Sequence, residues 1–153
     1  MKDMPKERFK VVSAAYLVLR DGDKVLLSLR QNTGWMDGTY TMVSGHIEAD
    51  EKPTEAMVRE AKEEAGIDVQ PEDLRVVHVG VRQRSETGDD TYIDFYMECP
   101  RWQGELRNME PEKCGGLDWF PASELPANIL PYLRDVIGCI ERGELYSEIV
   151  RQR

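Results

Sequence analysis

The stretch from Pro53 to Gly66 constrains the fold more than any other part of this 153-residue chain. Pro53 suits the first turn of a helix, where its missing N–H costs nothing, and Gly66 suits a left-handed C-terminal stop. A helix is therefore predicted over Pro53–Ala65. Residues advance by about 100° each, so Val58, Ala61 and Ala65 share one face. Alanines on that face let the helix lie close against a sheet. Glu63 falls about −60° and Glu64 about +40° from Glu60, so these three carboxylates share another face. Like charges at these spacings cost about 0.2–0.5 kcal/mol per pair, and a helix C-terminus disfavours anions. Two readings fit: a solvated acidic face, or oxygen ligands for a hard divalent cation, Mg²⁺ or Mn²⁺, whose charge offsets the repulsion.

The flanking segments read as strands. Val11–Arg20 and Lys24–Arg30 form a predicted hairpin around Asp21-Gly22-Asp23. A loop follows over Gln31–Gly38, then a short strand at Thr39–Ser44 and a polar loop at Gly45–Lys52. Beyond the helix come strands Leu74–Ser85 and Thr91–Cys99 with a turn at Gly88-Asp89-Asp90. A loop at Trp102–Gly116, a strand at Leu117–Phe120 and a final helix at Asn128–Arg142, capped by Asn128, complete the order. Strands and helices do not alternate strictly. The expectation is an α/β or α+β layered single domain over residues 1–153, not a doubly wound one.

Lys plus Arg number 20 and Asp plus Glu 29, a formal charge of −9. That balance excludes a surface built to neutralise a nucleic-acid polymer but not a site for small phosphates, where metal ions supply positive charge. The three cysteines are odd in number and form no C-x-x-C, which fits a cytoplasmic protein with small buried thiols. No apolar run approaches the ~20 residues needed to cross a bilayer, so no membrane partner is expected.

The helix belongs to a longer pattern: Gly45, five residues, Glu51, seven residues, then Arg59-Glu60-Ala61-Lys62-Glu63-Glu64-Ala65-Gly66-Ile67. This resembles the Nudix box, G-x5-E-x7-R-E-U-x-E-E-x-G-U with U aliphatic, over residues 45–67. All seven fixed polar or glycine positions match, a coincidence of about 10⁻⁸ per start point at average residue usage. Ala61 is the small departure, at a position where the family has a larger aliphatic residue. Asn32-Thr33-Gly34, Asn108-Met109-Glu110-Pro111 and Trp119-Phe120 resemble more loosely the small MutT-related branch.

The resemblance implies an α/β/α sandwich with a mixed sheet between helices, and metal-dependent hydrolysis of a nucleoside diphosphate linked to another group. The main expectation is a nucleoside triphosphate giving monophosphate and pyrophosphate. ADP-ribose or an NDP-sugar is the alternative, because the box serves both. A non-catalytic nucleotide sensor is the alternative of another class, and the complete Arg59, Glu60, Glu63, Glu64 set counts against it. The partner is then a small nucleotide; the oligomeric state stays open, a homodimer included.

Carried over position by position, Glu60, Glu63 and Glu64 match metal ligands, with the Ser44 carbonyl and Glu110 as further ones. Glu60, Glu63, Arg59 and Glu110 are the catalytic candidates. Arg59 is expected to pair with Glu51 and orient Glu60, while Gly45, Glu51 and Gly66 shape the motif. Arg30 resembles a phosphate contact, Asn128 a base-reading amide or a helix cap, and His46 a loop residue facing substrate. Trp35, Tyr40 and Trp119 can stack on a base or fill the core. His78, in an alternating strand, reads as structural. No Ser-His-Asp or Cys-His nucleophile is apparent, so water is the expected nucleophile.

Overall fold

The computed structural model describes residues 3–83 and 90–150. Strand β1 (Val12–Val18) lies inside a five-stranded mixed sheet. It pairs antiparallel with β5 (Ser44–His46) and parallel with β7 (Thr91–Glu98). Beyond β7 come β6 (Arg75–Gln83), antiparallel, and β9 (Tyr146–Val150), parallel to β6. The near-continuous apolar run of β1 is explained by burial on both faces. Ala15 and Leu17 enter a core that includes Ala56, Met57, Ala61 and Ala65 of helix α1 (Pro53–Ala65). Ala14, Tyr16 and Val18 enter a second core with Leu133, Val136 and Ile137 of helix α2 (Pro131–Glu141). The mixed sheet thus lies between two helices, the α/β/α sandwich that the resemblance implies.

A second, antiparallel sheet forms around β3 (Lys24–Arg30). Strands β2 (Arg20–Asp21) and β4 (Tyr40–Thr41) pair with β3 at its two ends, and β8 (Cys114–Pro121) pairs along its length.

The structure corrects several sequence boundaries. Val11–Arg20 is not one strand: at Leu19 the chain leaves the first sheet and enters the second as β2. Thr39–Ser44 likewise divides into β4 and β5, with Met42 and Val43, each 1% exposed, crossing between the sheets. Gly45 and His46 therefore belong to a strand, not to the following loop. The Trp102–Gly116 loop ends earlier than expected, because β8 begins at Cys114. The cap of α2 is Leu130, since Pro131 occupies the first helical position. Asn128 instead donates from Nδ2 to the Gly38 carbonyl at 3.0 Å, while its own carbonyl accepts from Tyr40 N. Strand β9 was not expected at all. It is short, mixed in polarity, and pairs with a strand distant in sequence. His78, fully buried, holds this end of the sheet through the Glu144 carbonyl at 2.8 Å and Ser147 Oγ at 2.7 Å. The expected turn at Gly88-Asp89-Asp90, and Arg84-Ser85 at the end of the expected strand, fall wholly or largely outside the described residues.

Candidate active site

The C-terminal half of α1 brings its carboxylates against β5. Glu60 is 9% exposed. Its carboxylate packs directly on Gly45: a Cβ at position 45 would coincide with the Glu60 carboxyl group. Only a residue without a side chain lets β5 and the helix approach this closely, which explains Gly45 in the motif. Glu64 accepts from Ser44 N at 3.1 Å. Burial, with Glu60 and Glu110 nearby, pushes the Glu64 carboxyl up to about 8. Burial also raises Glu60, against the pull of Arg59. Gly66 ends α1 in the left-handed region at φ 69°, as the stop signal requires.

Arg59 is the positive centre of this region. Its Nε and Nη2 donate to the two Glu51 carboxylate oxygens at 2.8 and 3.0 Å. Its Nη1 donates to Glu60 Oε1 at 2.6 Å and Glu63 Oε2 at 3.3 Å, and Nη2 reaches the His46 carbonyl at 3.1 Å. Glu51 also accepts from Glu48 N at 3.0 Å. The guanidinium bonds hold the Glu51 carboxyl down to about 2. One arginine thus ties the loop after β5 to α1 and fixes one oxygen of Glu60.

Glu110 arrives from the far side of the sequence. The backbone N–H groups of Arg107 and Met109 donate to the Ala65 and Glu64 carbonyls, at 3.0 and 3.1 Å. The loop therefore satisfies carbonyls that the helix end would leave unpaired. This docking places Glu110 beside Glu64 in a cavity of about 220 Å³, which also takes Arg30, Ser44 and Lys113.

Among the described residues, no three acidic, histidine or cysteine side chains surround one point as a ready-made metal site. Glu63 is turned toward Arg59. The donor set is nevertheless all oxygen: Glu60, Glu64 and Glu110 carboxylates with backbone carbonyls beside them. Glu60 is buried and Glu64 is half-buried beside it. Burial first, and the Glu60 charge second, raise Glu64, so the pair has a deficit of offsetting positive charge. A hard divalent cation fits that deficit. Glu63 joins such a set only by releasing its half-exposed contact with Arg59.

A larger cavity, about 350 Å³, adjoins the first and shares Arg30, Thr41 and Ser44 with it. Trp35 and His46 line it. Arg30 sits 4.9 Å from the Trp35 ring centroid and donates to Trp35 O and Thr33 Oγ1, so it also shapes the loop after β3. Of the three stacking candidates, Trp35 alone reaches this cavity. Tyr40 bonds Asp118 at 3.0 Å and packs on Phe120, and Trp119 packs against the α1 core. Asn128 lines neither cavity.

Sequence reasoning missed the rest of the large cavity: Tyr16, Arg82, Tyr92 and Tyr132. Arg82 is 8% exposed and paired with Asp94, which is fully buried. A signal was present. Arg82 keeps step with the buried His78 and Gly80 on β6, and Asp94 stands opposite Gly80 on β7. Opposite charges at inward positions of neighbouring strands indicate a buried pair.

The NUDIX domain model matches residues 10–137, a span that contains both sheets except β9, both cavities and the first part of α2. The chain belongs to the NUDIX domain family. Solved structures agree on the Nudix fold. A MutT NUDIX hydrolase from Burkholderia pseudomallei superposes with a TM-score of 0.74 at 19% identity, covering 84% of this chain and 97% of that one. The ORF135 protein of E. coli gives 0.72 at 22% identity, covering 88% and 91%. A MutT protein from Bacillus halodurans gives 0.74 at 20%, covering 93% and 91%. In sequence, the human 8-oxo-dGDP phosphatase NUDT18 is 27% identical over 143 residues, or 92% of this chain. The chain spans about 40% of that relative's length. No helix among the described residues is long and apolar enough to cross a membrane.

Proposed function

We propose that this single Nudix domain is a metal-dependent hydrolase of a phosphoanhydride bond in a nucleoside diphosphate linked to a further group. The main reaction is a nucleoside triphosphate to its monophosphate and pyrophosphate. One observation carries the reading: Glu64, half-buried beside the buried Glu60, lines a cleft together with Glu110, Arg30 and Lys113. Acids short of positive charge beside cations that can take phosphate oxygens suit phosphoryl chemistry.

Glu60, Glu63, Glu64, Glu110 and the Ser44 carbonyl would hold Mg²⁺ or Mn²⁺. The metal, when bound, neutralises phosphate charge and acidifies water. Arg59 keeps Glu60 oriented through Oε1, leaving Oε2 to accept a proton from the attacking water. Glu110 is the second candidate for that proton, as it stands beside Glu64 at the cleft. Arg30 steadies the phosphates, and Trp35, packed against Arg30, and His46 line the larger cavity beside them.

The test is a panel with and without Mg²⁺: nucleoside triphosphates, oxidised triphosphates, ADP-ribose and nucleotide sugars, scored by released phosphate species. Metal-dependent release of pyrophosphate, with label from ¹⁸O-water in a phosphate product, is expected. Nucleotide binding without turnover of any panel member contradicts the hydrolase reading and favours a sensor.

A further inference from the structure

We infer that Arg82 reads the base of the nucleotide, and that it selects a base edge carrying adjacent lone pairs, as in a 6-oxopurine, over the amino edge of adenine. The inference rests on the nucleotide reading above and deepens it.

The large cavity runs across the sheet from Ser44 on β5, at the acidic cleft, to Arg82 on β6. In the order β5-β1-β7-β6 these strands are three steps apart, about 14 Å at roughly 4.8 Å per step. With phosphates at the Ser44 end, the Arg82 end receives the part of the nucleotide farthest from the chemistry. Its walls suit a planar ring, with Tyr16, Tyr92 and Tyr132 at that end.

Arg82 is held in place from several directions. Nε and Nη2 donate to the Asp94 carboxylate, and Nη2 lies 3.4 Å from Tyr16 Oη. The guanidinium carbon stands 4.6 Å from the Tyr92 ring centroid and 4.2 Å from that of Tyr132. Tyr132 Oη in turn bonds Tyr16 Oη at 2.8 Å. Nη1 has no hydrogen-bond partner among the described residues, yet it is not sealed from solvent. A fixed donor therefore faces the cavity.

Chemistry decides what that donor takes. Guanidinium donates and never accepts. The Arg82–Asp94 pair is neutral as a unit, so a second anion placed there would meet no net positive charge. A neutral acceptor fits better. Guanine offers O6 and N7 as adjacent acceptors, whereas adenine replaces the first with an amino donor. Asp94, fully buried and bonded to Arg82, is not accessible to accept from that amino group.

The test is equilibrium binding, with Mg²⁺, of inosine, guanosine, adenosine and purine riboside monophosphates. Wild type is expected to bind the inosine and guanosine forms about 10-fold or more tightly than the other two. Arg82→Lys keeps a cation for Asp94 but withdraws the second nitrogen, and should shrink the preference to within about 3-fold. If that variant does not fold, paired Arg82→Gln and Asp94→Asn, neutral on both sides, replaces it with the same expectation. Equal affinities in wild type, or a full preference surviving in a folded variant, overturn the inference and leave the hydrolase reading untouched. Failure of all four to bind, with no triphosphate turnover, overturns the reading and the inference together.

Discussion

Two clusters of charge, at opposite ends of two adjoining cavities, are built on opposite principles. At the β6 end, Arg82 and Asp94 neutralise each other and tyrosine rings cover the cation. At the α1 end, the buried Glu60 and the half-buried Glu64 lie side by side, with Arg59 serving only Glu60 directly. The first cluster is balanced in charge within the chain, whereas the second is not, and the proposed cation would balance it. Residues of the first kind stabilise and position. On the proposed reading, residues of the second kind cost stability in the metal-free protein and serve chemistry rather than packing.

The largest expected effect comes from the unbalanced cluster. Glu64→Gln retains shape and removes the charge that burial and Glu60 oppose. Its kcat at saturating Mg²⁺ should fall by about 10²-fold or more. Its metal-free melting temperature should equal or exceed that of wild type. Near-wild-type kcat would remove Glu64 from the machinery.

The balanced cluster should respond in stability. Asp94→Ala leaves Arg82 buried without its partner and should cost about 3 kcal/mol in urea unfolding, as breaking buried pairs does. The same measurement on metal-free Glu64→Gln should show no loss. If both variants lose equally, the two clusters do not differ in kind.

The smallest effect concerns the Arg59–Glu51 brace beside the acidic cluster. The Glu51 carboxyl is held at about 2 in the fold, against an ordinary 4.5. A lowered pKa contributes stability that is fully present above the ordinary value and is lost as pH falls from about 4.5 toward about 2. Glu51→Gln should therefore narrow the gap between urea midpoints at about pH 6 and about pH 3. An unchanged gap would mean that Arg59 does not hold Glu51 in solution.

These two clusters also mark what the sequence could and could not disclose. The acidic end lies within 23 consecutive residues, 45 to 67, and helical geometry alone places its carboxylates together. Pro53 and Gly66 mark the helix ends by their own backbone preferences. The Arg82 end is assembled from β1, β6, β7 and α2, so only the sheet register reveals it. Leu19 and Met42-Val43, where the chain changes sheets, are apolar and buried like their neighbours, so nothing local distinguishes a crossing from a continuing strand. Asn128 has the residue type of a cap, but Pro131 fixes the helix start two residues later than a cap at 128 would. Glu110 was singled out by resemblance, while its position depends on backbone bonds to the end of α1 that no side-chain pattern encodes.

The central claim is that the Glu60–Glu64 end is completed by a divalent cation. Thermal unfolding of wild type and Glu64→Gln, each with chelator and with excess Mg²⁺, tests it without relying on any substrate. Wild type should melt higher with Mg²⁺, because a ligand bound to the native state stabilises it, and the variant should lose most of that rise. Equal Mg²⁺ responses in the two proteins, or none in wild type, would contradict it.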